Sequence, residues 1–118
     1  MLELRVLIVE DSEDDYDLLV RTLERSGSFT VRATRCASAR QMRALLLVRP
    51  WDIILSDDAL PGFSGLEALC ELQQSSLDIP FIMVSGTANE ERIVEALTAG
   101  AHNYRTLRRE SLPIHEWR

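Results

Sequence analysis

The chain of 118 residues has no long hydrophobic run. Its apolar stretches fall far short of the roughly 20 residues a bilayer-crossing helix needs. It opens on no basic-then-apolar leader with a small-residue cleavage site, so the expected location is the cytoplasm. Cysteine is scarce. Cys36 and Cys70 stand at no metal-type spacing, and both read as core-side thiols in a reducing compartment. Positive charge is in deficit, with 13 basic residues against 19 acidic ones and a net charge of −6. That balance argues against non-specific nucleic-acid binding and against an anionic membrane surface. Internal repeats, linkers and low-complexity segments are missing too. What is present is 46% apolar and 27% charged, the composition of one globular domain over residues 1–118.

The acid is concentrated. Residues 3 to 17 hold Glu3, Glu10, Asp11, Glu13, Asp14, Asp15 and Asp17 against Arg5 alone. The stretch VLIVEDSEDD therefore runs from a strand fit for a buried core straight into like charges. Further along, the pattern alternates. RVLIV (5–9) is strand-like, and residues 12–27 change period, with Tyr16, Leu19, Val20 and Leu23 on one helical face. Ser12 can cap that helix and Gly27 can end it. FTVRAT (29–34) has period 2. Ser38 and Gln41 form a capping box for a helix over 38–49, which stops before Pro50. DIILS (52–56) is a strand and LPGFSG (60–65) a turn. Ser64 and Glu67 box a helix over 64–75. FIMVS (81–85) is a strand, Thr87 and Glu90 box a helix over 89–100, and AHNYR (101–105) is a fifth strand. Alternating units of this length predict an α/β fold with a parallel sheet and helices on both faces. The apolar character of the first, third and fourth strands fits burial on both sides.

In an open α/β sheet, ligands bind beyond the carboxyl ends of the strands, where the winding reverses. For a doubly wound order 2-1-3-4-5 that point lies between strands 1 and 3. Strand 1 ends on Glu10 and Asp11, and strand 3 ends on Asp57 and Asp58. At an effective dielectric near 20, two such charges about 4 Å apart repel by roughly 4 kcal/mol. A shared cation resolves the conflict, and an all-oxygen set with an open rim suits Mg²⁺. Glu13, Asp14 and Asp15 need only the dipole of the first helix to explain them. Asp58 reads as solvated, and neither His102 nor His115 has a partner at ligand spacing.

VLIVEDSEDD, DIILSDDALPGFSGLEAL, PFIMVSGT and ALTAGAHNY, in register over residues 4 to 104, resemble the receiver domain of two-component response regulators. The resemblance implies a flavodoxin-like fold. It also implies that Asp11 holds Mg²⁺ directly and Glu10 through water, with the Ala59 backbone carbonyl as a further ligand. Asp57 would be both a metal ligand and the phosphoacceptor, Ser85 the hydroxyl that follows the phosphoryl group, and Tyr104 the aromatic that moves with it. The implied partners are a histidine kinase or phosphotransfer protein and a downstream protein that reads the face formed by the fourth helix (89–100) and the fifth strand (101–105). Such a domain is no enzyme beyond its own phosphorylation and dephosphorylation.

The resemblance breaks at the end of the chain. The family places a lysine three residues after this tyrosine, and Leu107 stands there. Period 2 puts Arg105 on the same side as Leu107. Residues 105–118 diverge, with Pro113 in the middle and no apolar face for a fifth helix, so that helix is expected to be missing or irregular. The bare sheet this leaves predicts a homodimer, an exchanged element or marginal stability. Two other readings compete with the phosphorylatable receiver. One is a degenerate receiver that acts as a phosphorylation-independent interaction module. The other is a Mg²⁺-dependent phosphoryl-transfer enzyme, which adjacent Asp57 and Asp58 suit poorly because their side chains point opposite ways in an extended chain.

Overall fold

Five strands carry the apolar runs and form one parallel sheet in the computed structural model, which describes residues 2–25, 29–48, 50–60, 62–85 and 90–106. In chain order they are β1 (Leu2–Val9), β2 (Phe29–Cys36), β3 (Ile53–Asp57), β4 (Phe81–Ser85) and β5 (Asn103–Thr106). Their order across the sheet is β2-β1-β3-β4-β5, and every pairing is parallel. The winding reverses at β1, which lies between β2 and β3, so the crevice beyond β1 and β3 is the switch point. The predicted α/β doubly wound sheet is the one observed. The expected irregular fifth helix falls at 107–118, outside the described residues.

Among the described residues four helices cross between the strands: α1 (Glu13–Glu24), α2 (Ala39–Val48), α3 (Gly65–Gln74) and α4 (Glu90–Ala99). Alternation along β1 divides the core. Val6 and Ile8 pack with Leu19 and Leu23 of α1 and with Leu55, Ile82 and Val84. Leu7 and Val9 face the other way, with Ile54, Phe81 and Met83, against Met42, Leu69, Leu72 and Ala96 of α2, α3 and α4. Fully burying one such aliphatic side chain is worth about 1.5–3 kcal/mol, so each face of the sheet anchors its own helices.

The helix ends follow the sequence closely. Ser12 Oγ accepts the N–H of Asp15 at 3.3 Å. At α3 the capping box closes in both directions, Glu67 N–H to Ser64 Oγ at 3.1 Å and Ser64 N–H to the Glu67 carboxylate at 3.3 Å. At α2, Gln41 donates its N–H to Ser38 Oγ at 3.2 Å, but its side chain reaches one residue further back, to the N–H of Ala37 at 2.8 Å. The Thr87 half of the α4 box and the Gly27 stop lie outside the described residues. Gly100 ends α4 with φ +115°, its N–H on the Leu97 carbonyl and the Ala101 N–H on the Ala96 carbonyl. That pair of bonds is a Schellman arrangement.

Two expectations change. Ala101 is spent on the helix cap and the His102 N–H bonds the Phe81 carbonyl, so β5 starts at Asn103 rather than at residue 101. The turn after β3 contains a short antiparallel hairpin, Ala59–Leu60 against Phe63–Ser64, closed through Gly62 at φ +68°.

Candidate functional site

Sheet register delivers the acidic residues to one place. Val9 pairs with Ser56, so Glu10 and Asp57, the next residues of β1 and β3, leave the sheet side by side. Asp57 pairs in turn with Val84, which puts Ser85 at the matching end of β4. Glu10, Asp11 and Asp57 each offer a carboxylate oxygen, and those atoms lie within 4.8 Å of one another. A pocket of about 110 Å³ opens on them, lined by Glu10, Asp15, Leu18, Leu19, Asp57, Val84 and Ser85. One wall is therefore the apolar face of α1 and the other is the rim of the sheet.

Glu10 is the unusual member. It is 3% exposed. Its N–H is held on the Cys36 carbonyl at 2.9 Å, and its carboxylate accepts the Ser12 N–H at 3.0 Å. Burial pushes its pKa up to about 8, against the help of the Ser12 N–H and with further pressure from Asp57, Asp11 and Asp15. Protonation is one relief for such a group and a divalent cation is the other. Asp11 is exposed at the rim, and Asp57 and Asp58 are half-buried. The donors fit Mg²⁺: they are hard, anionic oxygens from adjacent strand ends, on a crevice open enough to leave water on the ion.

The remaining expected site residues are placed less fully. Ser85 is 5% exposed and borders the pocket. Ala59 sits in the hairpin opposite Ser64, directly after the acidic strand end. The backbone of Tyr104 pairs with Met83 on β5. The Tyr104 side chain lies outside the described residues, as does Leu107. His102 takes a structural part, its Nδ1 accepting the Phe81 N–H at 3.0 Å.

Three features escaped the sequence reading. Asp15, assigned to the helix dipole, stands on the pocket wall and presses on Glu10. Its spacing four residues before Leu19, on the inward face of α1, was the available signal. Arg35 donates Nη1 to the carbonyls of Glu10 and Asp11, at 3.4 and 3.3 Å, a contact made by β2 lying against β1. Cys70 is exposed, which corrects its reading as a core thiol. It follows buried Leu69 on α3 and falls on the outer face. Cys36 is buried as expected, and burial pushes its thiol up to about 12. No helix among the described residues is long and apolar enough to cross a membrane.

Gly65 explains how β3 and α3 meet so closely. A Cβ there would fall 2.7 Å from the Asp57 carbonyl oxygen and 2.9 Å from the Asp58 Cα, and against Met83 Sδ. Its own N–H bonds the Asp58 carbonyl at 3.1 Å.

Comparison with known proteins agrees with this geometry. Residues 6–106 match the model of the response regulator receiver domain. The hydrogenase transcriptional regulatory protein HoxA of Cupriavidus necator is 36% identical over 100 residues, which cover 84% of this chain and 20% of HoxA. The phosphate regulon transcriptional regulatory protein PhoB of Escherichia coli is 36% identical over 105 residues, covering 86% of this chain and 44% of PhoB. The chain thus spans between a fifth and just under half of these relatives. In fold it is similar to the receiver domain of the sensor histidine kinase PA1611 from Pseudomonas aeruginosa, solved with a magnesium ion coordinated in the active site cleft. There the TM-score is 0.72 at 23% identity, over 96% of this chain and 90% of that one.

Proposed function

The chain belongs to the response regulator receiver family, and from that premise we propose that it is a phosphoacceptor whose Asp57 takes a phosphoryl group from a histidine kinase or phosphotransfer protein. The observation that carries this reading is the convergence of Glu10, Asp11 and Asp57 within 4.8 Å at the ends of adjacent strands. In the transfer, an Asp57 carboxylate oxygen attacks phosphorus and a P–O bond forms. The P–N bond to the donor histidine breaks, and the departing imidazole takes up a proton from solvent. Glu10, Asp11, Asp57 and the Ala59 carbonyl would hold Mg²⁺, which would supply positive charge against the phosphoryl oxygens. Leu18 and Leu19 exclude water from one side of the pocket. Ser85 offers its hydroxyl to the modified Asp57, and Tyr104 follows into the space this opens. The α4–β5 face then changes, which is a population shift biased by a local charge. Val94 and Leu97, exposed on α4, give that face the apolar content a downstream protein can read. The chain acts on no substrate but itself.

A specific observation favours a second reading. Leu107 occupies the family's lysine position, and the chain contains no lysine at all. A receiver without that charge can serve as an interaction module without phosphorylation. Incubation with a small-molecule phosphodonor and Mg²⁺, followed by intact mass measurement, decides between the two. The phosphoacceptor gains one phosphoryl group in the wild type and none in Asp57→Asn. No gain in the wild type selects the interaction module, and a gain that survives the substitution shows another acceptor.

A further inference from the structure

We propose that Arg35 is a positioning residue of the acidic centre, fixing the turn between β1 and α1 so that Glu10 and Asp11 present their carboxylates to a divalent cation. The inference rests on the receiver reading and adds to it a residue from a strand that holds none of the expected site residues. Arg35 lies near the carboxyl end of β2, in register with Ile8. Its Nη1 donates to the Glu10 carbonyl at 3.4 Å and to the Asp11 carbonyl at 3.3 Å. The main chain of β2 holds the same turn as well, through Glu10 N–H on the Cys36 carbonyl at 2.9 Å. The backbone that aims both carboxylates is thus gripped three times by β2, twice by one guanidinium.

Charge gives the contact a second meaning. With no lysine in the chain, any fixed positive charge near the crevice must come from arginine. Among the described residues, Arg35 is the cation hydrogen-bonded to the backbone of the acidic pair. Its field reaches beyond that backbone: burial and Asp17 raise the Tyr16 hydroxyl, and Arg35 opposes them. A tether and a bare charge predict opposite outcomes. A bare positive charge repels Mg²⁺, so neutralising it tightens binding, and salt screens the effect. A tether orders the ligands in advance, so removing it weakens binding at any ionic strength.

The test is calorimetric titration with Mg²⁺ at low and high salt, on the wild type, Arg35→Gln and Arg35→Lys, with unfolding of each apo protein measured in parallel. Arg35→Gln should bind Mg²⁺ about threefold to tenfold more weakly, the worth of one or two modest hydrogen bonds, and the loss should persist at high salt. Arg35→Lys keeps the charge but not the rigid fork, and should recover only part of the affinity. Tighter or unchanged binding in Arg35→Gln overturns the proposal while leaving the receiver reading intact. A wild type that binds no Mg²⁺ overturns the proposal and the phosphoacceptor reading together. Should Arg35→Gln fail to unfold cooperatively, Arg35→Lys carries the test, and wild-type affinity in it refutes the tether.

Discussion

Glu10 should make the apo protein lose stability as pH rises, and Glu10→Gln should abolish that loss. The carboxyl is 3% exposed and stands among Asp11, Asp15 and Asp57. Burial first, and these neighbours after it, lift its pKa from 4.5 to about 8. The sign follows directly. Above 4.5 the unfolded chain releases this proton while the folded chain keeps it, so the folded state binds more protons and stability falls with pH. The fall begins near pH 4.5, is complete above about pH 8, and at about 1.4 kcal/mol per pH unit amounts to about 5 kcal/mol. That is a large share of a typical total of about 5–15 kcal/mol. Glu10→Gln keeps an oxygen for the Ser12 N–H and never carries the charge. Urea unfolding in a chelator from pH 5 to 9 should show the wild type declining and the variant flat, with similar stability at the acid end. Added Mg²⁺ should restore the wild type at pH 8.5 by preferential binding to the folded state and stabilise the variant less, since it keeps Asp11 and Asp57 but lacks the Glu10 charge. Parallel curves, or a variant less stable than the wild type at pH 8.5, would refute the reasoning.

Two further outcomes are expected. Gly65→Ala forces a Cβ against the Asp57 carbonyl, the Asp58 backbone and Met83. It should cost about 1–3 kcal/mol in urea unfolding and slow phosphorylation by displacing the acceptor strand end. A thiol reagent should label exposed Cys70 in the native state and reach Cys36 only on unfolding, because burial holds the Cys36 thiol in its protonated form. Native labelling of both would contradict the described packing around β2.

Most of the fold was legible because local and long-range demands agree. An apolar run such as FIMVS is useful only between two helical layers, and Phe81–Ser85 is buried throughout. Ser64 and Glu67 cap α3 in the same register that turns Leu69 and Leu72 inward. Strand ends were less legible where backbone pairing outlasts the apolar pattern. The β1–β2 ladder extends from Leu2 to Val9, past the reach of the core, where Glu3 meets Arg32 at 3.3 Å instead. The ladder also carries β2 on to Cys36, beyond the expected end at residue 34. Asp15 does stand in the first turn of α1, and its second placement, on the pocket wall, was hidden for a different reason. A carboxylate in a first helical turn has a sufficient local explanation, which conceals a tertiary one. Arg35 could not be read at all, because its role arises only when a second strand lies beside the first.

The polar residues that are buried show why this crevice, and not another surface, is the place of function. Among the described residues they are Glu10, Thr22, Ser56 and Ser85. Thr22 answers to its own helix, its hydroxyl on the Leu18 carbonyl at 2.8 Å. The other three stand at or next to the carboxyl ends of β1, β3 and β4, and two of them, Glu10 and Ser85, line one pocket. Ser56 is satisfied locally, through the Asp57 carbonyl at 2.9 Å, and so stiffens the backbone of the proposed acceptor. Glu10 is not settled in this way: one N–H faces one carboxylate with like charges around it. Natural sequences agree with themselves at every level except where function demands a conflict. Here the conflict is confined to a strand end, favours the protonated carboxyl, and has the sign and the oxygen donors to be relieved by a divalent cation instead.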